Sequence, residues 1–156
     1  MAVIGISHVA VGVRDMDRSL TFYRDVLGLR ERYAAVEHLP SLNEVEAVSR
    51  SAVFLDYTDP QAHPASSYLV LDERAKHEQF GQPAEMFQLG IHHFSFWVDD
   101  IDAIVARGVA AGMPPFHGPK VGHAIGMGEQ TGRRNTFTSC LFKDPDGNVV
   151  QCDQRL

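Results

Sequence analysis

The segment His8-Val-Ala-Val-Gly-Val13-Arg-Asp15-Met-Asp17 is written a second time, at one constant offset, as His93-Phe-Ser-Phe-Trp-Val98-Asp-Asp100-Ile-Asp102. A repeat constrains a chain more than any composition, because each copy must build the same supersecondary unit. In each copy an alternating strand runs into an Asp-x-Asp turn, whose short carboxylates accept hydrogen bonds from the free N–H groups that open a helix. The next stretch carries Met16, Leu20, Tyr23, Val26 and Leu27 at helical spacing in the first copy, and Ile101, Ile104, Val105 and Val109 in the second; Gly28 and Gly112 stop the two helices. Strands are then expected near 29–37, 50–57 and 66–72, and near 114–121, 135–143 and 148–153, with Asp144-Pro-Asp-Gly-Asn148 as the tight turn joining the last two. The expected fold class is α+β: paired βαβββ modules, 1–72 and 90–156, forming a cupped mixed β-sheet with the helices outside. A charged, Gln-rich linker, 73–89, broken by Gly81 and Pro83, joins the modules.

Alternation decides which way the opening strands face. Val9, Val11 and Val13 share one side, as do Phe94, Phe96 and Val98, and these apolar sides must meet the helices. His8, Ala10 and Gly12, with His93, Ser95 and Trp97, are therefore expected on the concave side, where two such sheets placed together would enclose a cavity lined by both histidines. His92 is expected on the helix side. Trp97 would set an aromatic wall against a flat ligand, with Ser95 beside it. Arg133, Arg134, Asn135 and Tyr57 are candidates for contacting an oxygenated or anionic substrate from the rim. His123 lies in a Gly-rich connection, Val121 to Gly132, that is too long for a tight hairpin and is expected to fold over the cavity as a lid.

Composition removes several function classes. No apolar run approaches the eighteen or so residues that span a bilayer, so no membrane segment is expected. The 14 Lys and Arg are scattered against 20 Asp and Glu for a net charge of −6, which argues against a nucleic-acid partner, since phosphate binding wants a basic stripe. The amino-terminal text alternates as a strand would, and the chain is expected to be cytoplasmic. Cys140 and Cys152 are expected to be small buried hydrophobes.

The doubled unit, the histidine five residues before the valine that ends each opening strand, Phe22-Tyr23-x-x-Val-Leu-Gly-Leu29 and Asp144-Pro-Asp-Gly-Asn148 together resemble the vicinal oxygen chelate superfamily. That group contains glyoxalase I, type I extradiol dioxygenases, methylmalonyl-CoA epimerase, fosfomycin-resistance enzymes and bleomycin-sequestering proteins. The resemblance implies a divalent metal (Fe, Mn, Zn or Ni) held from the first and fourth strands of each unit. By position the ligands are His8, His93 and Gln151, the last standing where the family usually has Glu. In the first unit Tyr68, Asp72 or Glu73 takes the corresponding place, depending on register. Two imidazoles and an oxygen donor on one side of an ion leave open positions for a substrate's adjacent oxygens. The resemblance then allows extradiol ring cleavage of a catechol, preferred on the His pair and the aromatic cavity side, or a glyoxalase-type lyase, isomerase or epimerase reaction needing a base. Tyr57, His123 and Glu73 are the candidate catalytic residues. The alternative is a metal-free protein that binds a small molecule, as the bleomycin-sequestering members do. Homodimers are common in the family, and a homodimer is expected.

Overall fold

Both Asp-x-Asp turns cap helices as the repeat predicts. Asp15 accepts a hydrogen bond from the Arg18 N–H at 3.0 Å, and Asp100 accepts one from the Ala103 N–H at 2.9 Å. The computed structural model describes residues 5–41, 46–57, 67–125 and 134–156, without the side chains of Ala124, Ile125, Arg134 and Asn135. Arg133 and the part of the Gly-rich connection beyond Ile125 lie outside the described residues.

The chain divides into two compact units, Met1–Gly81 and Gln82–Leu156. In the first, β1 (His8–Val13) leads into α1 (Met16–Leu20), which widens into a π-helical segment, Thr21–Val26, before β2 (Arg30–Leu39), β3 (Val48–Asp56) and β4 (Tyr68–Arg74). The wider turn accompanies the full burial of two rings adjacent in sequence, Phe22 and Tyr23. Gly28 ends the helix with a positive φ of 87°, a conformation cheap only for glycine. In the second unit, β5 (Phe94–Trp97) leads into α2 (Ile101–Ala110), then β6 (His117–Ile125), β7 (Arg134–Lys143) and β8 (Val149–Arg155).

Each unit is a four-stranded sheet, ordered β1-β4-β3-β2 in the first and β5-β8-β7-β6 in the second. The opening strand pairs parallel with the fourth, and the remaining pairs are antiparallel, so each sheet is mixed. This is the doubled βαβββ fold that the sequence predicts. Two boundaries differ from expectation. β4 runs through Arg74, so the expected linker begins inside a strand. β5 begins at Phe94, so His93 stands just before the strand rather than on it.

One face of each sheet is the packed one. In the first unit Val11, Val13, Leu55, Leu69 and Leu71 are buried along with Phe22, Tyr23 and Val26 of the helix. In the second, Cys140, Phe142, Val150 and Cys152 are buried with Ile101 and Ile104 of α2. Cys140 pairs directly with Cys152 across the strands, and both thiols are fully buried. The Asp144-to-Asn148 turn closes on itself: Asp144 accepts from the N–H groups of Asp146 and Asn148 at 3.0 and 2.8 Å, and Gly147 takes a φ of 100°. Among the described residues no helix is long and apolar enough to cross a membrane.

Candidate functional site

The face of each sheet turned away from its helix carries the polar and aromatic groups. In the first unit the pairings His8–Tyr68, Tyr68–Asp56 and Phe54–Tyr33 carry a row of rings across all four strands. His8 stacks on Tyr68 at 5.2 Å and Tyr33 on Phe54 at 4.3 Å, while Phe54 and Tyr68 meet at 5.8 Å. The Arg32 guanidinium lies 4.8 Å from the centre of the Tyr68 ring and forms an ion pair with Asp56, whose carboxylate is almost wholly buried. Farther along the same face Arg50 bridges two acids, pairing with Asp72 and donating to Glu37 at 2.7 and 3.0 Å. Burial pushes the Asp72 carboxyl above its ordinary range, against the pull of Arg50, and Glu37 pushes the same way. The second oxygen of Asp72, Oδ1, is buried with no hydrogen-bond partner.

The second unit is arranged around one carboxylate. Asp153 on β8 is 2% exposed and pairs with Trp97 on β5 and Ser139 on β7. The Ser95 and Ser139 hydroxyls donate to its two oxygens, and the Gln151 amide N–H group donates to both at 2.8 and 2.9 Å. Gln151 also donates to the Ser139 Oγ at 3.2 Å. At the end of this face Arg155 stacks over Trp97 at 4.6 Å, and the two line an open cleft of about 410 Å³ together with Val98, Asp99 and Gln154.

The expected site residues separate into groups. Ser95 and Gln151 are direct neighbours by register, and Trp97 lies one pair farther along the same face. His93, half-buried, meets His92 through their Nδ1 atoms at 2.8 Å, and His8 meets the Ser7 hydroxyl through Nδ1 at 2.8 Å. Glu73 pairs with Val13 and Ser51, which puts it on the opposite face from His8. His123 belongs to β6 and pairs with Thr136, whose hydroxyl lies 3.1 Å from its Nδ1; the register sets it on the opposite face from Asp153. Tyr57 follows β3 directly and is partly exposed. Asn135 takes part in β7, pairing with Ala124. Sequence reasoning missed Arg32, Tyr33, Phe54, Asp56 and Asp153. For Asp153 a signal existed: it stands two residues after Gln151 on the same strand, hence on the same face.

A sequence profile of the Glyoxalase/Bleomycin resistance protein/Dioxygenase superfamily matches residues 5–152. The chain belongs to that superfamily. Solved structures with the same fold include a glyoxalase family protein from Bacillus cereus, 15% identical with a TM-score of 0.75, covering 100% of this chain and 97% of that one. A glyoxylase/bleomycin resistance protein/dioxygenase domain from Frankia is 18% identical with a TM-score of 0.66, covering 99% and 94%. The trypanothione-dependent glyoxalase I of Leishmania major is 20% identical with a TM-score of 0.58, covering 96% and 86%. No curated protein matches the chain significantly.

Membership in the superfamily raises the question of a metal, and the pairing register shows which side chains the fourth strands offer. Gln151 lies beside Ser95, two residues past His93. The same step from His8 leads to Ala10, and the residue beside Ala10 is Val70. Tyr68, Asp72 and Glu73 pair instead with His8, Gly12 and Val13. Val70 is buried in an apolar cluster with Ala52 and Phe54, against which Tyr68 packs, and has no donor to offer. Gln151 has its N–H groups committed to Asp153 and Ser139. Among the described residues no group of three or more His, Cys, Asp and Glu is placed to hold an ion. A divalent cation is poorly matched by a hydrocarbon and a neutral amide at these two positions.

Proposed function

We propose that this chain is a small-molecule-binding member of the superfamily that works without a resident metal. The observation that carries the reading is the pair Val70 and Gln151 at equivalent fourth-strand positions, one apolar and one neutral. Each carboxylate absent from a cation's surroundings forgoes about 4 kcal/mol of attraction per unit of cation charge at 4 Å in a partly solvated site. The surfaces that remain suit a flat organic ligand: the ring row of Tyr33, Phe54, Tyr68 and His8 in one unit, and Trp97 beside Ser95 in the other. Metal analysis of protein purified without chelator tests the reading. Sub-stoichiometric metal is expected, and one tightly held divalent ion per chain would overturn it.

The second reading, a metal-dependent enzyme, draws on one feature. His8 and His93 both use Nδ1 for a neighbouring contact, which is how a ring is oriented to present Nε2 to an ion. If metal is found, oxygen uptake with a panel of catechols after anaerobic Fe(II) loading separates extradiol cleavage from the glyoxalase-type reactions, which consume no oxygen.

A further inference from the structure

The three side chains around Asp153 use up their hydrogen-bond donors on it and on one another. A serine hydroxyl has one hydrogen, and Ser95 and Ser139 each spend theirs on the Asp153 carboxylate. The Gln151 amide has two; it spreads them over both Asp153 oxygens and the Ser139 Oγ. What these groups have left to offer is acceptors: the lone pairs of the Ser95 Oγ and the Gln151 Oε1. The donors that hold Asp153 are two hydroxyls and an amide, all neutral, so its negative charge is dispersed over the cluster rather than cancelled there. Ser95 is exposed, and Trp97, on the same face one pair away, is 48% exposed.

We infer that Asp153 sets the hydrogen-bond polarity of this face, and that the ligand bound there carries a cationic N–H donor group attached to a flat ring. The inference rests on the small-molecule-binding reading above and names the ligand class for it. An ammonium head group brings the hydrogens that the Ser95 and Gln151 oxygens lack and a charge opposite to that of Asp153, while its ring meets Trp97. A carboxylate head group would face acceptors and a like charge. A neutral alcohol would gain a hydrogen bond but no charge complement. Arg155 stands over Trp97 at the end of the face, one pair farther along than Ser95 and Gln151, so the head group is placed at the Ser95 and Gln151 oxygens, on the side away from that guanidinium.

Trp97 is the only tryptophan in the chain, so its fluorescence reports on this face alone. The test titrates the full-length protein with benzylammonium, benzyl alcohol and benzoate, three probes with one ring and different head groups. Benzylammonium is expected to bind about tenfold more tightly than benzyl alcohol, with benzoate weakest. Asp153→Asn keeps the size of the side chain and removes the charge, and is expected to abolish the preference for benzylammonium. Ser95→Ala, at an exposed position, removes one acceptor, leaves the Asp153 oxygen that Ser95 bonded to the Gln151 amide, and is expected to lower the preference about threefold; it decides the matter if Asp153→Asn does not fold. Equal binding of the three probes, no response of Trp97 to any of them, or an undiminished preference in Ser95→Ala would overturn the inference. Metal content measured on the same preparation keeps the two failures apart: a stoichiometric ion overturns the metal-free reading, whereas the ranking of head groups overturns or supports only the ligand class.

Discussion

The two units bury a carboxylate on corresponding faces by opposite means. Asp56 in the first is met by a guanidinium, Arg32, and the neighbouring acids Asp72 and Glu37 share a second one, Arg50. Asp153 in the second is met by two hydroxyls and an amide. The backbone pattern repeats closely, down to the capping aspartates and the parallel pairing of opening and fourth strands, yet the chemistry of the exposed face does not. A strand's packed face must satisfy the helix above it in both copies. The other face is free to diverge, and it has: one half became an aromatic, ion-paired surface, the other an acceptor-rich one.

The largest expected effect comes from removing the charged partner. Arg32→Ala leaves the Asp56 carboxylate buried without a cation and is expected to cost about 3 kcal/mol in urea unfolding, since stripping one partner from a buried pair strands the other charge. A loss under about 1 kcal/mol would mean that water reaches Asp56 once Arg32 is gone, and that the first unit tolerates a lone carboxylate as the second does.

How much of this was legible in the sequence depended on what kind of rule wrote it. The repeat, the helix starts at Asp15 and Asp100, and the stops at Gly28 and Gly112 follow from local chemistry that a few residues carry by themselves, and they were readable. Ser95 and Trp97 could be set on one face by counting alternate residues. The place equivalent to Gln151 in the first unit could not, because it depends on how β1 and β4 are registered, and a slip of two residues puts Tyr68 or Asp72 where Val70 stands. His123 was misplaced for a related reason: glycines in Val121–Ile125 read as a loop, but Gly122 packs under Phe137 where a Cβ would meet the ring at 3.1 Å, so the glycine serves close approach within a strand. The ring row of Tyr33, Phe54, Tyr68 and His8 joins four strands and has no local signature at all.

Where the units agree, substitution should agree too. Asp15→Ala and Asp100→Ala each remove a cap from the first turn of a helix and are expected to cost about 1 kcal/mol apiece, read as paired shifts in the unfolding midpoint. Gln154 gives a way to sharpen this. Its Oε1 accepts a hydrogen bond from the Ile101 N–H at 2.9 Å, a second acceptor at the start of α2. If Asp100→Ala costs markedly less than Asp15→Ala, that contact from β8 holds the helix start, and the two caps are equal in sequence but not in energy.

The smallest expected effect concerns Asp72, and its sign separates the two ways of holding an acid. Arg50 carries one positive charge and serves two carboxylates, Asp72 and Glu37, so burial outweighs the attraction and the folded state raises the proton affinity of Asp72. A folded chain that binds this proton more tightly than the unfolded chain gains stability from it below the unfolded carboxylate pKa and loses that gain as pH rises through the folded one. Asp72→Asn, neutral at every pH, removes the slope. The stability difference between wild type and Asp72→Asn is therefore expected to shift toward wild type as the solution is acidified from about pH 7 to about pH 4, measured by urea unfolding of both proteins side by side. A shift toward the variant on acidification would show that the Arg50 ion pair prevails over burial, and that the first unit holds Asp72 as securely as it holds Asp56.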